Sequence, residues 1–89
     1  MKSFRIIISG VVQGVGFRYF CFKKAVEYNI SGYAKNLING DVEVIAQGEE
    51  GLVNDFVKEL KIGPRYSNVK SVNMEKIDVE KEYPQFLIY

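Results

Sequence analysis

FRIIISGVVQGVGFRYFCFKKAVEY, from Phe4 to Tyr28, is the stretch that decides the fold. Phe4 to Ser9 is apolar and rich in β-branched residues and stops at Gly10, the pattern of a buried central strand. Val11 to Gly16 contains Gly14 and Gly16 and cannot continue as regular structure for long. Beyond it, Phe17, Cys21, Ala25 and Tyr28 recur at helical spacing on one face, with Phe20 at its margin. Phe22 and Val26 lie off that face, so this helix is apolar around much of its surface, and Asn29 suits its end. The opening unit is therefore strand, glycine-bearing loop, helix.

Working outward, Ser31 to Leu37 and Asp41 to Gln47 read as two strands joined around Asn39-Gly40, a hairpin signal because both residues accept positive φ. In the second of these strands Val42, Val44 and Ala46 alternate with Glu43, Ile45 and Gln47, which predicts one better-buried face. Leu52, Val53, Phe56, Val57 and Leu60 form the stripe of a second helix, stopped by Gly63-Pro64. Val69 to Ile77 is a fourth strand and Phe86 to Tyr89 a short fifth. This order predicts an α+β, ferredoxin-like βαββαβ two-layer sandwich: an antiparallel sheet with two helices on one face, plus a short C-terminal strand. In that topology the first two strands run parallel with the third between them. Their C-terminal ends then share one edge of the sheet, about 10 Å apart at two interstrand spacings.

Eighty-nine residues are expected to make a single domain, 1–89, with room for a modest core. Twelve basic against eleven acidic side chains leave a net charge of +1, which predicts no nucleic-acid or membrane partner. An anion handled here has to be met by a local site. With Cys21 as the single cysteine there is no intrachain disulfide and no multi-cysteine metal cluster. The absence of histidine removes the commonest metal ligand and the side chain best suited to proton transfer near neutral pH. No cofactor and no metal are expected. The apolar stretch Ile6-Ile7-Ile8 is too short for a membrane span or a signal peptide, so a cytoplasmic setting is the expectation.

The segment Ile8 to Arg18 carries the chemistry. A glycine-bearing loop that runs from a strand into a helix presents free backbone N–H groups in one concavity, at the positive end of the helix dipole. Arg18, in the first turn, adds a planar fork that matches phosphate oxygens. By itself the loop fits two readings: an anion cradle, or a tight turn that lets the helix pack close to the sheet. A cation at the positive end of a helix is misplaced on structural grounds, which leans toward the cradle. No third glycine and no Gly-Lys-Ser/Thr follow, so neither a dinucleotide fingerprint nor a nucleotide P-loop is present.

Ile8, Gly10, Val12, Gln13, Gly14, Val15, Phe17 and Arg18 together resemble the signature of the acylphosphatase family. Gly32-Tyr33-Ala34-Lys35-Asn36, followed by Gly40, Val42 and Gly48, resembles its second signature. The resemblance implies a phosphate-binding loop made mostly of backbone N–H groups from Val12, Gln13, Gly14, Val15, Gly16, Phe17 and Arg18. It further implies that Arg18 is catalytic and that Asn36 holds the attacking water. The implied substrate is a small acyl phosphate, and a monomer is expected.

The residue inventory restricts the reaction independently. Arginine, asparagine and backbone amides stabilise charge and position reactants but offer no evident general acid. Such a site can expel a carboxylate, whose conjugate acid has a pKa of about 4. An alkoxide would need an acid or a metal. A different class, a ferredoxin-like RNA-binding module, would enlist Phe4 and Tyr33 as stacking platforms on exposed strands. Cys21, in the middle of the apolar helix face, reads as a buried small hydrophobe, and Tyr19 as core or surface filler.

Overall fold

Ile6 and Ile8 have no exposed surface, and both sit on β1 (Lys2–Val11), the strand on which the sheet is built. The computed structural model describes residues 2–79 and 81–89. After β1 come α1 (Phe17–Glu27), β2 (Ser31–Asn36), β3 (Val42–Gly48), α2 (Glu50–Ile62), β4 (Asn68–Ile77) and β5 (Phe86–Ile88). The strands lie in the order β4-β1-β3-β2-β5. β1 and β2 each pair antiparallel with β3 and so run parallel to one another, as the split βαβ arrangement requires.

One feature of the sheet differs from expectation. β5 pairs with β2 in parallel, so the sheet is mixed and not wholly antiparallel. The reason is topological: β4 runs opposite to β2, so a chain that leaves β4 and returns at the far edge in the reverse direction runs alongside β2 in β2's own direction.

Strand alternation sends one set of side chains to the helices. Phe4, Ile6 and Ile8 of β1, Ala34 of β2, Val42, Val44 and Ala46 of β3 and Phe86 of β5 share one core with Phe17, Cys21 and Ala25 of α1. α2 adds Val53, Phe56, Val57 and Leu60, with Phe56 set edge-on to Phe86 at 6.2 Å. Burying these side chains supplies most of the driving force for folding, at roughly 1.5–3 kcal/mol for each large one. The helices end where expected. Asn29 adopts φ 56° just past α1, and Gly63, with φ 72°, caps α2 by donating its N–H to the Glu59 carbonyl.

One local expectation holds and one is corrected. The face of β3 that carries Val42, Val44 and Ala46 is the better buried, as expected, and the other is nearly as closed because β3 is central and its second face is covered by polar partners. There Arg5 Nε donates to Glu43 Oε2 at 2.7 Å, Tyr33 Oη donates to Glu43 Oε1 at 2.9 Å, and Gln47 exchanges hydrogen bonds with Lys81 O and Tyr83 N. The β2–β3 connection runs through residues 38–40, as the expected strand bounds imply, but Asn39 does not take the positive φ expected of it. Leu37 N–H donates to Asp41 O at 2.8 Å, only Gly40 takes positive φ, and Asn39 Oδ1 instead accepts from Asp41 N–H. An Asx bond of this kind does the work that a left-handed Asn would otherwise do.

Candidate active site

Ile8 on β1 and Asn36 on β2 both pair with Val42 of β3, so the three stand in one row across the sheet. Two interstrand spacings, about 10 Å, separate the outer members. The loop that leaves β1 and the end of β2 therefore meet at one edge, as the topology predicted. β1 runs on to Val11 through a register shift at Ser9/Gly10, and the remaining loop turns into α1.

The loop is held by apolar anchors and one polar clamp. Val12 and Phe17 are each 1% exposed, and Val15 packs against the same core. Gln13 points the other way: its Nε2 donates both to Leu37 O at 2.8 Å and to Asp41 O at 2.9 Å. One amide thus ties the loop to the turn that follows Asn36. Gly14 and Gly16 take φ 74° and 77° with open space where a Cβ would stand, so the demand there is for left-handed backbone and not for room. Gly16 caps α1 without any side-chain hydrogen bond, and no acidic residue occupies the first turn. Phe20 N–H is the first to find a helical acceptor, on Gly16 O at 3.0 Å. The preceding N–H groups of the turn are left for solvent or a ligand.

A cleft of 180 Å³ opens at this point, lined by Val12, Gly14, Gly16, Phe17, Arg18, Tyr19, Asn36 and Ile88. Arg18 and Asn36 line it together. Arg18 Nη1 donates to the main-chain oxygen of Tyr89 at 2.6 Å, which fixes the guanidinium beside the residue that follows Ile88. Tyr89 N–H is in turn bound to Ala34 O, so β5 ties the arginine to the strand that bears Asn36. Asn36 Oδ1 is buried and has no hydrogen-bond partner among the described residues. A buried acceptor left unpaired costs about 1–3 kcal/mol, an arrangement that a bound water or ligand would relieve.

Of the loop residues expected to surround the phosphate, Val12, Gly14, Gly16, Phe17 and Arg18 line the cleft, whereas Gln13 and Val15 do not. The buried side chains of Val12 and Phe17 leave only their backbone to face a ligand. Sequence reasoning missed three things: the Gln13 clamp, and the presence of Tyr19 and Ile88 in the lining. The signal for the clamp was a long polar amide between two apolar anchors. Nothing in the pattern pointed to Ile88, because β5 reaches the site only through its parallel pairing with β2.

Other expectations have their place too. Cys21 is fully buried, and desolvation pushes its thiol up to about 12, which suits a packing residue and not a nucleophile. Phe4 and Tyr33 lie on opposite faces of the sheet, Phe4 at 3% exposure in the core. They cannot form one stacking platform, and the RNA-binding reading loses its residues.

The acylphosphatase family model matches residues 4–88. Among curated relatives, an acylphosphatase of Chlorobaculum tepidum is 42% identical over 87 residues, covering 98% of this chain and 95% of its own. One of Vibrio vulnificus is 46% identical over 84 residues, covering 94% and 92%. The crystal structure of acylphosphatase from Bacillus subtilis superposes with a TM-score of 0.95 at 36% identity, over 100% of this chain and 99% of that one. With its glycine loop, its arginine and its asparagine gathered at one edge of this sheet, the chain belongs to the acylphosphatase family.

Proposed function

We propose that this chain hydrolyses acyl phosphates to a carboxylate and inorganic phosphate by direct attack of water on phosphorus. The observation that carries the reading is the shared cleft: the uncapped turn of α1, Arg18 and Asn36 all line it, and the buried Asn36 Oδ1 has no partner among the described residues. The N–H groups of the loop and first helical turn, with the Arg18 guanidinium, hold the phosphoryl oxygens and balance their charge in the transition state. The side-chain amide of Asn36 holds the water and aims its oxygen at phosphorus. As the new P–O bond forms, the bond from phosphorus to the acyl oxygen breaks and its electron pair leaves with the carboxylate. Asn36 cannot take a proton, so the proton of the water passes to a phosphoryl oxygen. The leaving carboxylate needs no protonation, with a conjugate-acid pKa of about 4.

Hydrolysis of benzoyl phosphate in ¹⁸O-labelled water tests this. The label is expected in inorganic phosphate. Label in benzoate would mean attack at the carbonyl carbon, and the reading would be wrong.

A further inference from the structure

The cleft has two chemically different kinds of lining. Its polar lining is the loop backbone and Arg18; its apolar lining includes Tyr19 and Ile88, which are 60% and 43% exposed. Ile88 faces this way because it alternates with Leu87 and shares the helix side of the sheet with buried Phe86. Tyr19 follows Arg18 in the first turn of α1, its ring stacked on Phe22 at 6.2 Å. Val11 and Ile38, at the same end of the sheet, are exposed as well. Single exposed apolar residues are ordinary, but apolar side chains beside converging polar groups are the composition of a ligand site. Among the described residues Arg18 is the one charged side chain in the lining. A second negative charge, on the acyl part of a substrate, would find no further cation in that lining; Lys23, whose Nζ lies over the Tyr19 ring at 5.9 Å from its centroid, stands outside it.

We propose that Tyr19 and Ile88 form an acyl subsite, which selects acyl phosphates with an apolar or aromatic acyl group over those bearing a further carboxylate. The inference rests on the hydrolase reading above and deepens it. With the phosphate seated on the loop and water on the Asn36 side, the carboxyl leaving group points to the mouth of the cleft. An acyl group there meets the Tyr19 ring and the Ile88 side chain and withdraws apolar surface from water.

Benzoyl, acetyl and succinyl phosphate distinguish the possibilities. The wild type is expected to show the highest kcat/KM on benzoyl phosphate and the lowest on succinyl phosphate. In Ile88→Ser and Tyr19→Ser the ratio of benzoyl to acetyl kcat/KM should fall about tenfold, mostly through KM, the size expected for one or two lost methylene equivalents. Tyr19→Phe, which keeps the ring, should keep the ratio. Thermal midpoints of each variant separate lost folding from lost selectivity. A ratio that stays put in both serine variants overturns the proposal, as does a wild type that prefers succinyl phosphate. Failure of the underlying reading looks different: the wild type turns over none of the three, and the subsite falls with it.

Discussion

α1 and α2 pack on the same face of the same sheet, yet they are built by different rules. α2 is an ordinary amphipathic helix. Val53, Phe56, Val57 and Leu60 make one buried stripe, Glu50 sits in the first turn, Lys61 in the last, and Gly63 closes the end. Each of those choices suits the helix dipole or the core. α1 breaks them at its N-terminus. It starts on a left-handed glycine, has no side-chain cap and no acidic residue in its first turn, and places Arg18 where a cation is disfavoured. The difference separates a helix whose ends follow the rules of stability from one whose first turn, on the reading proposed above, is left open for an anion. Unsatisfied donors that weaken α1 as an isolated element are the same groups that would bind phosphate.

Paired deletions give the largest effects and would break this contrast if they failed. Arg18→Ala should lower kcat/KM on benzoyl phosphate roughly 10³-fold, the scale of a lost transition-state cation. Its thermal midpoint should hardly move, because removing a misplaced cation offsets the lost bond to Tyr89. Phe56→Ala should do the reverse, costing about 3–5 kcal/mol in denaturant titration while the folded enzyme keeps its turnover. If Arg18→Ala unfolded the protein, α1 would be a structural helix after all.

The same contrast explains what was legible before the structure. α2 was readable to within its caps because its stripe, its charges and its glycine all obey general rules. α1 was readable as a helix, and its oddity pointed to function. Arg18 stood out by physics, whereas Asn36 stood out only by resemblance. No local rule distinguishes an asparagine that ends a strand from one whose buried Oδ1 lacks a partner; that required the third dimension. Gln13 was expected to lend its backbone, but its side chain spans 24 and 28 residues of sequence to reach Leu37 and Asp41. The parallel docking of β5, which brings Ile88 and Tyr89 to the site, is a long-range property that strand patterning does not encode.

A smaller effect is expected at the boundary of α1. Gly16→Ala meets no steric contact, yet φ 77° costs an L-residue about 1–2 kcal/mol. The variant should lose that much stability, and inorganic phosphate should bind roughly tenfold more weakly as the first-turn N–H groups turn away. Equal phosphate affinity in the variant, measured by titration, would detach the loop backbone from binding.

The smallest effect concerns the buried face of α1 and sharpens its distinction from the open end. Burial raises the Cys21 thiol from its ordinary 9.0 to about 12. The folded protein keeps a proton that the unfolded chain releases, so the contribution is complete below pH 9 and lost as pH rises toward 12. The denaturant midpoint should therefore fall between pH 9 and 11 more steeply in the wild type than in Cys21→Ala. A shallower slope should remain from Tyr33, also raised to about 12, by burial first and then by its bond to Glu43. Equal slopes would mean that the thiol is hydrated.

The division of labour between Arg18 and Asn36 is the centre of the account, and Asn36→Ala tests it most directly. With benzoyl phosphate as substrate and inorganic phosphate as competitive inhibitor, kcat should fall by at least about 10²-fold, as for loss of a positioned hydrogen-bonding group. The inhibition constant for phosphate should stay within about threefold of the wild type, because the loop and Arg18 are untouched. Retained kcat, or phosphate binding lost together with kcat, would contradict the assignment of water to Asn36 and phosphate to the loop.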